Sequence, residues 1–133
     1  MLVQFSVKNY RSLKDKVTVS LLAGVDKEHA NDLIQIDNKK QLVPVAAIYG
    51  ANASGKSNVL MALKTIQDMI TGTSAQLLKE KKLPYDPFAF DPFYKEPHPT
   101  EFEIIYYYRG QCPQVKKKVN NLTFDCDEIF WFA

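Results

Sequence analysis

The chain has 133 residues, of which 46% are hydrophobic and 24% charged, an ordinary globular balance for one domain. Its net charge of +2 is too small to argue nucleic-acid binding by itself, and no apolar run approaches the roughly 20 residues a membrane helix needs. Cys112 and Cys126 stand in unrelated contexts with no CxxC or Cys/His cluster, so neither a zinc site nor a disulfide framework is supported.

In chain order, Val3, Phe5 and Val7 alternate with Gln4 and Ser6, which predicts a half-buried strand. Lys8 to Lys16 is polar and turn-like. Val17, Val19 and Leu21 then alternate with Thr18 and Ser20, so a second strand is expected, antiparallel to the first. Asp26 to Lys40 reads as loop, with Leu33, Ile34 and Ile36 marking a small strand within it. No continuous apolar core of a signal peptide occurs near the N-terminus, so a cytoplasmic location and no membrane association are expected.

The run VPVAAIY, Val43 to Tyr49, is different in kind. It is nearly all apolar, as expected for a strand buried on both faces, with Pro44 tolerated near its start. Beyond the loop that follows, Val59, Leu60, Leu63, Ile66, Met69 and Ile70 recur at helical spacing, and Gly72 is a natural stop. Leu83 to Pro99 is rich in proline and interleaved with Phe88, Phe90 and Phe93. It reads as an ordered crossing loop with its aromatics tucked onto the core. Phe102 to Tyr108 returns as a strand. From Gln111 the character changes, with a Lys116–Lys118 run, both cysteines and the terminal FWFA.

Between the apolar run and the helix lies GANASGKS, which fits G-x-x-x-x-G-K-[ST] with Gly50, Gly55, Lys56 and Ser57 in the fixed positions. Gly50 lets the chain leave the strand, and Gly55 lets the backbone come close to a phosphate. Amides of the intervening Ala51, Asn52, Ala53 and Ser54 can line a nest for phosphate oxygens, and the helix start adds its open N–H groups. Lys56 brings a positive charge to the β- and γ-phosphates, and the Ser57 hydroxyl is a hard oxygen ligand for Mg²⁺. The expected cofactors are thus ATP and Mg²⁺, with Lys56 as the residue closest to any chemistry. The bland alternative is a glycine turn with a solvated lysine, but a tight turn alone has no need of the Gly-Lys-Ser combination.

GANASGKSN, Gly50 to Asn58, resembles the Walker A loop of ABC-type ATPase heads in the RecF/SMC/OLD-like group. The opening is similar too: a strand, NYRSL (Asn9 to Leu13), a second strand, then the P-loop strand. VPVAAIYGANASGKSNVLMAL, LPYDPFAFD and FEIIYYY look like the prokaryotic AAA family ATP-binding proteins linked to abortive infection and phage defence. The likeness spans about residues 1 to 110. It implies an α/β P-loop NTPase fold, here the N-terminal lobe of an ABC-type head: an antiparallel strand pair, the P-loop strand and helix, and a further strand. It also implies ATP held between two copies, or between this lobe and a complementing ATPase half. Arg11 then falls where a basic residue approaches nucleotide or the dimer partner, and Asn52 and Asn58 match the family's asparagines. An effector protein and DNA enter as partners by that analogy alone.

Hydrolysis by such a head needs more than a P-loop: an apolar strand ending in Asp-Glu and a glycine-containing signature loop. The nearest approach to the former is LTFDCDE, Leu122 to Glu128, which reads better as a polar surface turn. None of the five glycines lies in a signature-like segment, and His29 and His98 are isolated. The expectation is an incomplete ATPase lobe over 1–110 and a divergent tail over 111–133 from truncation or frame-shift. The competing readings are a non-enzymatic remnant that binds a partner chain and another small P-loop NTPase. A GTPase would carry N-K-x-D, and DNKK at Asp37 to Lys40 lacks the closing aspartate. A small kinase would carry an arginine-rich lid, and this chain has only Arg11 and Arg109.

Overall fold

The structure is a computed structural model. It describes residues 1–25, 30–36, 40–71, 86–90 and 98–108, and the backbone of 112–119, 124–125 and 130–132. Its elements in order are β1 (Leu2–Lys8), β2 (Val17–Ser20), a single 3-10 turn (Ala30–Asp32), β3 (Ile34–Gln35), β4 (Gln41–Leu42) and α1 (Lys56–Thr71). β5 (Thr100–Tyr106), β6 (Cys112–Val119), β7 (Phe124–Asp125) and β8 (Phe130–Phe132) follow. This is a small α/β arrangement of antiparallel strands and one described α-helix.

The main sheet runs β2-β1-β5-β6-β7, with β8 also paired to β6. β1 lies antiparallel to β2 with Phe5 opposite Val19 and Val7 opposite Val17, as the alternation in both segments predicts. On its other side β1 pairs with β5, Phe5 facing Ile104 and Val7 facing Phe102. Side chains alternate across a strand, so this register gathers Phe5, Val7, Val17, Val19, Phe102 and Ile104 on one face and Gln4, Ser6, Thr18, Glu101 and Glu103 on the other.

α1 lies on the apolar face. Val59, Ala62 and Ile66 recur at three- and four-residue steps and are buried, joining Phe5, Val7, Tyr10, Leu13 and Phe102 in one core. Each fully buried Phe or Ile there contributes roughly 1.5–3 kcal/mol of apolar burial. Thr65 is β-branched and sits mid-helix, where its hydroxyl bonds the Met61 carbonyl (2.9 Å) and lies 3.2 Å from the Tyr10 hydroxyl. Tyr10 in turn packs edge-on against Phe102, with ring centroids 5.7 Å apart. α1 ends at Thr71, and the expected stop, Gly72, lies outside the described residues.

The small strand expected around Ile34 forms, pairing Ile34 with Leu42 and Gln35 with Gln41. Backbone bonds from Ala23 to Gln41 and from Val43 to Leu21 then carry the chain alongside the end of β2. The strand expected over Phe102 to Tyr108 begins two residues earlier and closes at Tyr106.

Two expectations are corrected. Val43 to Tyr49 is not a buried strand: it belongs to no sheet, and Val45 and Tyr49 are 78% and 90% exposed. An all-apolar run is buried on both faces only where parallel neighbours flank it. Every described strand pair here is antiparallel, and apart from the Val43 amide's bond to the Leu21 carbonyl the run meets no described strand. Phe90 is likewise not tucked onto the core but 82% exposed, stacked edge-on against Phe88 with ring centroids 5.9 Å apart. Phe93, His29, Arg109 and Cys126 to Glu128 of the LTFDCDE stretch lie outside the described residues.

Beyond residue 110 the backbone of β6 continues the same sheet. Its register sets Lys116 opposite Glu103 and Lys118 opposite Glu101.

Candidate functional site

The candidate site is the turn between the exposed apolar run and α1. Positive φ angles at Gly50 (+156°), Ala53 (+61°) and Gly55 (+90°) curl six residues into a tight loop. Ala53 holds the left-handed region without glycine's freedom, a conformation that costs a side-chain-bearing residue roughly 1–2 kcal/mol and persists where the surroundings dictate it. At Gly55 the requirement is double. Its φ disfavours any side chain, and a Cβ there would stand 3.1 Å from Leu13 Cδ2 and 3.3 Å from Ser12 Oγ. The glycine therefore lets the loop lie directly against the turn that follows β1.

Lys56 opens the helix and its side chain folds back over the loop. Nζ donates to the carbonyls of Gly50 (2.9 Å) and Ala51 (2.6 Å) and lies 3.5 Å from Ser54 Oγ. An ammonium has three donors, and here they go to two loop carbonyls and, at the longest distance, to the Ser54 hydroxyl, so the positive charge is held over the loop and the Ser54 contact is the weakest of the three for an incoming anion to replace. The helix start is drawn tight by Asn58 and Val59 amides, which both donate to the Gly55 carbonyl (3.0 and 3.2 Å). Lys56 and Ser57 are the first residues of α1, where amides have no carbonyl a turn earlier within the helix. Ser54 is braced by its amide bond to the Ala51 carbonyl (3.3 Å). Ser57, the second residue of α1, is exposed. Asn52 is exposed at the loop's outer edge. These donors and the hard hydroxyl oxygen suit a phosphate chain with a divalent cation.

Asn58 turns away from the loop interior: its Nδ2 donates to Ser12 Oγ at 2.7 Å. Arg11 lies in the same turn but reaches elsewhere. Its amide donates to the Asp86 carbonyl (2.7 Å), its Nε lies 2.8 Å from Asp86 Oδ2 without hydrogen-bond alignment, and one terminal nitrogen meets Met61 Sδ at 3.0 Å. Both ion-pair partners are substantially exposed, so solvent screens the attraction to at most about 1 kcal/mol.

Sequence reasoning missed Asn9, the residue that organises this corner. It is buried at a left-handed φ of +54°. Its Nδ2 donates to the carbonyls of His98 (2.7 Å) and Pro99 (3.2 Å), and its Oδ1 accepts from the Phe88 amide (3.0 Å). Its own carbonyl accepts from Thr100 Oγ1 (2.6 Å). One side chain thus joins the β1–β2 turn to the Asp86–Phe90 segment and to the start of β5. The available signal was an asparagine at a strand end, a residue type that tolerates left-handed backbone.

The described residues form a small α/β unit in which a glycine-containing loop leads into a helix packed on an antiparallel sheet, consistent with a partial AAA/P-loop domain. Residues 45–108 match the protein-family model described as "AAA domain, putative AbiEii toxin, Type IV TA system". That match, to nearly half of the chain, supports an AAA-family, abortive-infection-type fragment, and it takes in the loop, α1 and β5 while leaving out β1 and β2. No curated protein and no solved structure matches the chain. Among the described residues, no helix is long and apolar enough to cross a membrane.

Proposed function

We propose that the chain binds Mg-ATP through a Walker A loop, Gly50 to Ser57, as the N-terminal lobe of a RecF/SMC-like, ABC-type ATPase head serving phage defence in the cytoplasm. The observation that carries this reading is Lys56. Its ammonium is held over the loop by the Gly50 and Ala51 carbonyls and by Ser54 Oγ, so its charge sits at the loop and is paired with no carboxylate among the described residues. In this reading the amides from Ala51 to Ser57 cradle the phosphates, and Lys56 neutralises the β- and γ-oxygens. Ser57 supplies an oxygen to Mg²⁺, which in such sites screens the phosphate charge. Arg11 reaches a nucleotide only by leaving Asp86, a weak tie for it to break.

Hydrolysis then depends on groups supplied from outside the described residues. The exposed, all-apolar Val43 to Tyr49 run favours a complementing ATPase half or a second copy, since such a run is stabilised by parallel strands on either side. The test of the binding claim is titration calorimetry with Mg-ATP on the wild-type chain and on Lys56→Ala. Saturable, Mg²⁺-dependent binding, weakened roughly tenfold or more in the variant, is expected for a charge-assisted contact. A folded wild-type chain that binds no Mg-ATP overturns it.

A further inference from the structure

We propose that Ser12 is a positioning residue of the phosphate loop, acting through Asn58 and Gly55; its ligand rests on the nucleotide reading above. Three observations converge on this side chain. Asn58, in the first turn of α1, spends its amide donor on Ser12 Oγ at 2.7 Å, across 46 residues of sequence. The same oxygen would stand 3.3 Å from a Cβ at Gly55, so the loop's tightest residue leans on Ser12 and on its neighbour Leu13. Ser12 is also a fixed point. Its turn is closed by reciprocal backbone bonds between Tyr10 and Leu13 (2.9 and 2.8 Å) and by the Asn9 amide bond to Lys14 (3.2 Å). Left-handed φ angles at Asn9 and Arg11 lock it further, and the buried side chain of Asn9 ties it to two other segments.

The magnitude decides what kind of role this is. The Ser12–Asn58 bond is exposed to water, where a hydrogen bond contributes little net stability. Its consequence is geometric. It sets the rotation of the first turn of α1, and with it the placement of the Ser57 hydroxyl and the Lys56 stem, relative to a rigid turn. Loss of Ser12 would leave the fold intact and loosen the loop.

The experiment uses the full chain as wild type, Ser12→Ala, Asn58→Ala, the double variant and Ser12→Thr. It measures Mg-ATP affinity by calorimetry, thermal midpoint, and amide hydrogen exchange without nucleotide. Expected are a roughly three- to tenfold weaker Kd in each alanine variant and a double variant no weaker than either single. Exchange should rise in 53–59 but not in β1 or β5, with midpoints little changed, and Ser12→Thr, which keeps the hydroxyl, should return to wild type. Wild-type affinity and exchange in Ser12→Ala overturn the proposal. Additive losses in the double variant overturn it too, as does a rise in exchange across the whole sheet. If the wild-type chain binds no Mg-ATP, the nucleotide reading falls, while the exchange data still decide whether Ser12 sets the loop.

Discussion

Two stretches that lead toward the loop have opposite fates. The strand β1 and its turn, Leu2 to Leu13, mix apolar and polar residues, yet Phe5, Val7, Tyr10 and Leu13 are buried and the turn's central polar group, Asn9, is fully engaged. The run Val43 to Tyr49 is nearly all apolar, yet Val45, Ile48 and Tyr49 are exposed. Apolar content therefore does not determine burial. β1 has neighbours on both edges and a helix on one face, so its alternating pattern is satisfied within the chain. The Val43 to Tyr49 run has a pattern that asks for neighbours on both sides and finds none among the described strands. The loop is thus anchored firmly on its helix side and loosely on its approach side.

The sharpest way to test the anchored half is to empty it. Phe5 is 1% exposed and touches the helix and both neighbouring strands' core residues, so Phe5→Ala should cost about 3–5 kcal/mol in a denaturant unfolding series. A loss under 1 kcal/mol would mean that this face is not the core. Next comes Asn9→Ala, which leaves the Phe88 amide and the His98 and Pro99 carbonyls without their partner and puts alanine at a left-handed φ. A loss of roughly 2–3 kcal/mol is expected. Asn9→Asp keeps the acceptor for Phe88 but sets a carboxylate against two carbonyls, so it should recover little. If it recovers fully, the two donor bonds carry no weight. Gly55→Ala should cost about 1–3 kcal/mol, from its φ and its approach to Leu13, and should abolish loop-dependent nucleotide binding. Unchanged stability and affinity there would mean that the loop does not need its close seat on the turn.

The sequence makes parts of this legible for definite reasons. Alternation at Phe5, Val7 and at Val17, Val19 specifies which face of each strand is buried, and the register obeys it, while Val3 lies at the register shift near the start of β1. Of the helical set Val59, Leu60, Leu63, Ile66, Met69 and Ile70, Val59 and Ile66 are buried and Leu63 and Met69 pack against the core, whereas Leu60 and Ile70 are exposed and the small Ala62, which the pattern passed over, is fully buried. The loop motif is a local pattern of fixed positions, so Lys56 and Gly55 could be picked out before any fold was known. Asn9 could not, because its partners lie at Phe88, His98 and Pro99 and no short-range pattern signals a contact across about ninety residues. Ser12 was hidden for the same reason. The run Lys116 to Lys118 stands out in the sequence only as a basic stretch, and the β5–β6 register is what places its backbone opposite Glu101 to Glu103. The fate of Val43 to Tyr49 was misread because an apolar run states a demand for burial and says nothing about whether neighbours exist.

That last point yields the smallest expected effect and the cleanest contrast. Val45 is 78% exposed, so Val45→Asp should shift the unfolding free energy of the isolated chain by no more than about 0.5 kcal/mol, whereas an acidic residue at Phe5 or Ile66 should prevent folding. The same substitution places a charge in an exposed apolar strand-like run, so concentration-dependent association, read by light scattering, should fall. If Val45→Asp instead costs more than about 2 kcal/mol, the run is buried in the isolated chain, and the contrast between the two halves of the loop's support collapses. If stability is unchanged but association falls, the run is a surface that recruits a strand from another chain, and that strand is what the approach side of the loop lacks.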